Sequence, residues 1–208
     1  MKIGSLLKQS FIDWDGKLCA VVFTQGCNFR CGYCHNPSLV LPELFHASEN
    51  ISEADVLSYL KSRTGWLDGV VITGGEPTVH TDLTAFIRKI KQLGFAIKLD
   101  TNGTNPQLLK ELITEKLIDY VAMDIKSVLI QSEYEKVTGV FSDKLFQQVL
   151  LSVDILRSGI IPYQFRTTIL PKIHSAEKIA ILEKAFSNYE YNKQSFRNDY
   201  TIVREVFR

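Results

Sequence analysis

Short apolar runs alternate with longer amphipathic stretches along most of this chain, beginning near Leu18. Runs of about 4–8 apolar residues that are rich in β-branched and aromatic side chains are typical of buried strands. On this pattern we predict six strands, which are Leu18–Thr24, Asp68–Thr73, Phe95–Asp100, Tyr120–Asp124, Tyr163–Ile169 and Tyr200–Phe207.

The stretches between these strands carry apolar residues at helical spacing. Two of them have clear start signals: Ser52-Glu-Ala-Asp55 is an N-terminal capping signature, and Asn105-Pro106 places a capping side chain before a first-turn proline. Three further helices are predicted around residues 83–93, 145–156 and 176–186.

Strands that alternate with helices predict βα units around a parallel sheet. Six units fit a chain of 208 residues, whereas a complete eight-unit barrel usually needs about 250. We therefore expect an α/β fold, a partial (β/α)6 TIM-like barrel that is open on one side. Because no long linker interrupts the pattern, one domain over residues 1–208 is the simplest organisation.

Composition narrows the class of protein. The hydrophobic content is 45% and the formal net charge is +1, which suits a globular core and gives no electrostatic basis for binding nucleic acid or an anionic membrane. No apolar run approaches the length of a membrane span, and the first residues lack the apolar region of a secretory signal. A cytoplasmic protein is expected.

Three cysteines lie within eight residues, directly after the first predicted strand: Cys27-Asn-Phe-Arg-Cys31-Gly-Tyr-Cys34. Three thiolates on one loop can hold a metal or an iron–sulfur cluster and leave one coordination position open. Disulfides are disfavoured, because cysteines this close would form small, strained rings. The fourth cysteine, Cys19, lies on the predicted strand and is interpreted as a small buried apolar residue.

Structural zinc is the alternative for this loop, with His35 as a possible fourth ligand. Zinc knuckles usually combine two separated pairs of ligands, and the sequence contains no second pair. The spacing and the position after a strand favour an iron–sulfur cluster.

Polar motifs follow the other predicted strands in order. The carboxyl ends of parallel strands meet at one edge of a sheet, so these motifs are expected to face a common cavity. They are Gly74-Gly75-Glu76-Pro77, Asp100-Thr101-Asn102-Gly103, Asp124-Ile125-Lys126 and Arg166-Thr167-Thr168.

Each motif also has a plain structural interpretation. Gly-Gly and Asn-Gly are common in tight turns, and Asp124 with Lys126 could be a solvated ion pair. In the functional interpretation, the glycines let backbone groups approach a ligand and Glu76 accepts hydrogen bonds. Asp100 could grip ribose hydroxyls, and Lys126 or Arg166 could bind a carboxylate. His46, His80 and His174 show no mutual spacing and stay unassigned.

The cysteine motif, with Tyr33 as its aromatic residue, resembles the signature of the radical S-adenosylmethionine (SAM) superfamily. The later motifs agree with that superfamily in order and position. Residues 22–37, 99–103 and 120–126 resemble more narrowly the activating enzymes of glycyl-radical enzymes. The resemblance is greatest to the activating protein of anaerobic ribonucleoside-triphosphate reductase, which is itself similar to pyruvate formate-lyase activating enzyme.

The resemblance implies two cofactors, a 4Fe–4S cluster and SAM. Cys27, Cys31 and Cys34 would bind three irons, and the fourth iron would take the amino and carboxylate groups of SAM. Electron transfer from the cluster would cleave SAM to a 5′-deoxyadenosyl radical. The residues implied around SAM are Gly74, Gly75 and Glu76 at the methionine amino group, Tyr33 and His35 at the adenine, Asp100 and Thr101 at the ribose, and Asp124, Lys126 and Arg166 at the methionyl end.

The implied reaction is abstraction of a hydrogen atom from a backbone glycine of a partner glycyl-radical enzyme, expected to be anaerobic ribonucleoside-triphosphate reductase. No general acid or base is required. The chain lacks the extra cysteine clusters of activators that carry a ferredoxin-like insertion. An external electron donor such as flavodoxin or ferredoxin is therefore implied.

Two alternatives stay open from sequence. One is a radical SAM enzyme that acts on a small molecule, such as a precursor of 7-deazaguanine. The other is a zinc-stabilised interaction module. The C-terminal stretch Asn188–Arg208 matches the activase pattern poorly beyond Lys193-Gln-Ser-Phe196.

Overall fold

Seven strands form one sheet in this computed structural model, which describes residues 1–47, 50–140 and 142–196. The strand order is linear from β1 to β7. β1 pairs with β2 in antiparallel fashion, and β2 to β7 are parallel. The strands are β1 Ile3–Ser10, β2 Cys19–Thr24, β3 Gly69–Gly74, β4 Ala96–Thr101, β5 Tyr120–Asp124, β6 Tyr163–Ile169 and β7 Tyr191–Ser195.

Helices fill the connections between the parallel strands. Short 3₁₀ helices also occur at Pro42–Ala47 and Pro77–Val79. The α-helices are α1 Pro37–Val40, α2 Glu53–Lys61, α3 Leu83–Gln92, α4 Pro106–Thr114, α5 Gln131–Thr138, α6 Asp143–Arg157 and α7 Ala176–Ala185.

The predicted α/β fold with six parallel strands is confirmed, as is its partial-barrel character. The predicted capping residues also act as such: Ser52 accepts a hydrogen bond from Asp55 N–H, and Asn105 accepts one from Leu108 N–H. Side chains of this type stabilise a helix start by about 1 kcal/mol.

The sixth parallel strand differs from the prediction. It is β7, a polar segment that pairs along β6 from Phe165↔Tyr191 to Ile169↔Ser195. The strand predicted at Tyr200–Phe207 lies outside the described residues. Strand β1 and helices α1 and α5 were not predicted either.

The period-two alternation of the strands sorts side chains between the two faces of the sheet. On β2, Ala20 and Val22 belong to the large core under the helices, whereas Cys19 and Val21 belong to a small inner cluster with Trp14. Cys19 is fully buried, as predicted. Cys19 is the first residue of β2, whereas the three-cysteine loop follows the last residue of that strand.

No helix in the described ranges is both long and apolar enough to cross a bilayer.

Candidate active site at the carboxyl ends of the strands

One cavity of about 230 Å³ opens at the carboxyl ends of the parallel strands. The loops that follow β2 to β5 contribute to its wall, β6 adds Arg166 and Thr168, and β7 adds Gln194. Every residue predicted for the site lines this cavity, namely Cys27, Cys31, Cys34, Tyr33, His35, Gly74, Gly75, Glu76, Asp100, Thr101, Asp124, Lys126 and Arg166.

The cysteine loop is held from several sides. Arg30 folds back so that Nη1 donates hydrogen bonds to Cys27 O and Phe29 O at 2.6 and 2.7 Å. The backbone N–H of Arg30 donates to Thr138 O at the end of α5, at 2.8 Å. α5, which the sequence did not reveal, therefore supports the loop from outside the barrel.

The three loop thiols have unfavourable surroundings for a free thiolate. Burial raises the pKa of Cys27 to about 12 and that of Cys31 to about 11, and it also raises the pKa of Cys34. A bound cation reverses this preference, because a coordinated thiol is deprotonated.

The donors around Cys27 suit an iron–sulfur ligand. Phe29 N–H donates to Cys27 Sγ at 3.4 Å, and Asn102 Nδ2 lies 4.0 Å from the same sulfur. Such N–H···S contacts are a common means of tuning iron–sulfur clusters. Within the described ranges, no group of three or more His, Cys, Asp or Glu side chains is placed to hold one metal ion. In a 4Fe–4S cluster each cysteine instead binds a different iron.

Gly74, the last residue of β3, and Gly75, which follows it, do more than let backbone groups approach a ligand. A Cβ at Gly74 would lie 2.3 Å from Thr24 N, and one at Gly75 would lie 2.0 Å from Gly26 O. Gly75 N–H donates to Thr24 O at 2.9 Å, and Glu76 N–H donates to Gly26 O at 2.8 Å. The missing side chains thus let this turn pack on the segment that leads into Cys27.

Glu76 joins two of the predicted motifs. Its side chain is 1% exposed, and burial raises its pKa despite several hydrogen bonds. Oε1 accepts from Thr78 N–H at 3.1 Å, from Thr78 Oγ1 at 2.5 Å and from Thr101 Oγ1 at 2.7 Å. Oε2 accepts from Asn102 N–H at 2.6 Å. The carboxylate therefore fixes the Gly-Gly turn against the Asp-Thr-Asn-Gly loop.

Asn102 lines the cavity as well, although it was not among the residues predicted for the site. It is 5% exposed. Its Nδ2 donates to Asn28 Oδ1 at 2.9 Å, and its Oδ1 accepts from Thr104 N–H at 3.0 Å. These contacts fix the orientation of the amide, so that Nδ2 faces the Cys27 sulfur. The position of Asn102 in the motif Asp100-Thr101-Asn102-Gly103, directly after β4, is the feature from which its place at the cavity could have been predicted.

Five charged side chains form an alternating series on the inner side of the barrel. Lys98 Nζ lies 3.7 Å from Asp100 Oδ1, and Arg166 Nη1 lies 3.3 Å from Asp100 Oδ2. Arg166 Nη2 lies 2.9 Å from Asp124 Oδ1, and Lys126 Nζ lies 2.9 Å from Asp124 Oδ2. Of the three cations in this series, Arg166 and Lys126 line the cavity, where a guanidinium or an ammonium group can pair with an anionic ligand group.

Opposing effects set the ionisation of Asp124. Burial alone would raise its pKa, but the charges of Arg166 and Lys126 outweigh burial and lower the pKa to about 2. Asp124 thus pairs with two cations, whereas the plain interpretation considered Lys126 alone. Asp124 stays ionised across the physiological pH range.

Acid is expected to weaken this network. Because the folded pKa of Asp124 lies below its ordinary value of 3.8, its stabilising contribution is present above about pH 4 and is lost as the pH falls towards 2. Urea unfolding of wild type and Asp124→Asn, both without the cluster, should show their stability difference shrinking by about 2 kcal/mol between pH 5 and pH 2. A pH-independent difference would contradict the assignment.

Residues 21–185 match the family described as the radical SAM superfamily. That match covers well over half of the 208 residues. The chain belongs to the radical SAM superfamily. The cofactors of this superfamily are a 4Fe–4S cluster and SAM, as predicted, and the membership decides for iron–sulfur chemistry over structural zinc.

Two relatives indicate more narrowly which radical SAM proteins this chain is similar to. It is 34% identical over 200 residues to a Methanocaldococcus jannaschii protein named "Putative glycyl-radical enzyme activating enzyme", with 93% of this chain and 79% of that protein covered. It is also 33% identical over 119 residues to a Pyrococcus horikoshii "Probable GTP 3′,8-cyclase", covering 57% of this chain and 37% of that protein.

A solved structure supports the radical SAM fold. Streptococcus suis SuiB bound to S-adenosylmethionine is similar with a TM-score of 0.62 at 19% identity. The similarity covers 88% of this chain and 42% of SuiB. At this identity the likeness concerns the fold alone.

Proposed function

We propose that this radical SAM enzyme is an activating enzyme that abstracts a hydrogen atom from a backbone glycine of a partner glycyl-radical enzyme. The observation that carries the proposal is the 34% identity to a protein of that name, over 93% of this chain and 79% of the relative. The agreement of the motifs at residues 22–37, 99–103 and 120–126 supports it.

In this proposal Cys27, Cys31 and Cys34 hold the 4Fe–4S cluster. When bound, the cluster and SAM together supply the one-electron chemistry that ends in hydrogen abstraction. The protein holds the cysteine loop in place through Arg30 and keeps the Cys27 sulfur hydrogen-bonded to Phe29 N–H.

The remaining wall residues would bind SAM. Lys126 and Arg166 are the two cations that line the cavity in the described part of the chain, and we place the methionine carboxylate at them. Asp124 stays ionised and can attract the amino group or the sulfonium. The other contacts are proposed as Gly74, Gly75 and Glu76 at the amino group, Asp100 and Thr101 at the ribose, and Tyr33 and His35 at the adenine.

The open form of the barrel supports a polypeptide substrate. In the described part of the chain the sheet runs linearly from β1 to β7. Gln194 of the last strand reaches the cavity wall. We propose that the peptide segment that carries the target glycine binds at the mouth of this cavity. We propose anaerobic ribonucleoside-triphosphate reductase as the partner.

The electron is proposed to come from another protein, such as flavodoxin or ferredoxin. The chain contains four cysteines. Three are on the loop, and the fourth, Cys19, is fully buried in the inner cluster at the far end of the barrel. The cysteines of this chain thus offer no second cluster that could relay electrons.

The test is incubation of cluster-loaded, reduced protein with SAM and anaerobic ribonucleoside-triphosphate reductase. Electron paramagnetic resonance should detect a glycine-centred radical on the partner, because the unpaired electron remains on the glycine after hydrogen abstraction. A partner in which the target glycine is replaced by alanine is the control and should give no signal.

A second candidate has a specific observation in its favour. The relatedness to a GTP 3′,8-cyclase over 119 residues fits a radical SAM enzyme that acts on a small heterocycle. That function would be indicated if SAM cleavage were stimulated by GTP or a deazaguanine precursor while candidate glycyl-radical partners gave no radical. Such a result would overturn the activase proposal.

A further inference from the structure

A buried histidine outside the predicted site joins two loops at the cavity. His174 lies between β6 and α7 and is 3% exposed. Leu170 N–H donates to His174 Nδ1 at 2.9 Å. Because Nδ1 is the acceptor, the neutral ring carries its proton on Nε2. Nε2 lies 3.2 Å from Lys126 O and donates to it.

The backbone of Lys126 is fixed on its other side as well. Its N–H donates to Tyr134 Oη at 3.2 Å, and that hydroxyl lies 3.4 Å from Asp124 O, to which it donates. Both peptide groups of Lys126 thus have side-chain partners. The ammonium group is left on the cavity wall, 2.9 Å from Asp124 Oδ2 and 5.9 Å from the centre of the Tyr33 ring.

The loop that presents His174 is itself anchored. Lys178 Nζ donates to Ile173 O at 3.1 Å and also pairs with Glu133 on α5. Leu170 is 1% exposed and packs in one cluster with Tyr33. His174 therefore links the Lys126 carbonyl to a loop that is itself held in place by several contacts.

We propose that His174 is a positioning residue that holds Lys126 where its ammonium group binds the carboxylate of SAM. The inference rests on the proposed placement of the methionyl end of SAM at Lys126. The cost of losing the contact is expected to resemble that of one hydrogen bond, because Lys126 would lose its fixed carbonyl but keep its charge.

Two substitutions separate the two contacts of the ring. In His174→Gln the side-chain amide can reach the position of Nε2 and donate to Lys126 O. In His174→Asn the shorter side chain can accept from Leu170 N–H but cannot reach Lys126. The matched control is His46→Asn, which makes the same change at an exposed histidine.

Binding of SAM and of decarboxylated SAM to the cluster-loaded variants is the measurement. For His174→Asn we expect SAM binding weakened about five- to tenfold, with decarboxylated SAM bound as by wild type. For His174→Gln and His46→Asn we expect SAM affinity within about twofold of wild type. A merely structural role of His174 would weaken both ligands equally.

Unchanged SAM affinity in His174→Asn, equal loss of both ligands, or unfolding of both His174 variants would overturn the proposal. Lys126→Met identifies the source of a failure. If Lys126→Met bound SAM like wild type, the placement of SAM at Lys126 would be wrong. If Lys126→Met weakened SAM binding but His174→Asn did not, the placement of SAM at Lys126 would stand and the positioning role of His174 would be wrong. The SAM-binding measurements contain no partner enzyme. Failure of the activase function is therefore recognised in a separate experiment, in which the glycine radical on the partner would be absent.

Discussion

A Cys31→Ala variant is expected to lose the 4Fe–4S cluster and, with it, cleavage of SAM. The three ligands lie on one short loop, and Cys31 and Cys34 are joined by a backbone hydrogen bond of 3.1 Å between Cys34 N and Cys31 O. Loss of one thiolate leaves two ligands for a cluster that has one open position already. Alanine is preferred to serine because its side chain offers no replacement donor.

The measurements are iron and sulfide content after anaerobic reconstitution, and 5′-deoxyadenosine released after reduction in the presence of SAM. Both should fall at least about tenfold in Cys31→Ala, since second-shell changes alone cost about 10–100-fold in metal affinity. Cys19→Ala is the matched control. Cys19 is fully buried at the other end of β2, so this variant should keep its iron. Full iron content in Cys31→Ala would refute the ligand assignment.

The apolar strands were the most predictable part of the fold. The predicted bounds of Tyr120–Asp124 and Tyr163–Ile169 agree with the structure. Both strands pair with a neighbour on each side, and each contributes apolar side chains such as Val121 and Phe165 to the large core. The apolar residues of such a strand are close together in the sequence, so the strand can be recognised without knowing the fold.

The edges of the sheet could not be predicted in the same way. Most side chains of β7 are exposed, and the strand exists because its backbone pairs with β6. β1 likewise places Lys8 and Gln9 in solvent. Edge strands need little apolar surface, so no apolar run marks them. α5 has the same character, with only Tyr134, Val137 and Thr138 buried.

The site was predictable because its position follows from topology. Once the strands were taken as parallel, the motifs after them had to meet at one edge of the sheet. The contacts between loops were not predictable. His174 and Lys126 are 48 residues apart, and nothing local to either residue announces the other. The same holds for Glu76, whose carboxylate is held by Thr101 and Asn102 of another loop.

Gly75→Ala is expected to disrupt the turn that supports the cysteine loop. The added Cβ would lie 2.0 Å from Gly26 O and 2.7 Å from Gly26 C. Both are backbone atoms, so no side chain can rotate away. Relief of the clash would break the hydrogen bonds from Gly75 N–H to Thr24 O and from Glu76 N–H to Gly26 O. Gly26 directly precedes Cys27, and the first cluster ligand would therefore move.

Overpacking and the loss of these hydrogen bonds together are expected to lower the free energy of unfolding by about 3 kcal/mol or more. Gly16→Ala is the control, because a Cβ at Gly16 would meet open space. Its φ of +73° means that this substitution causes only backbone strain, which costs about 1–2 kcal/mol. Denaturant unfolding and iron content together test the argument. Gly16→Ala should lose stability without losing iron, whereas Gly75→Ala should lose both. A Gly75→Ala protein that reconstitutes fully would mean that Cys27 is positioned independently of the turn.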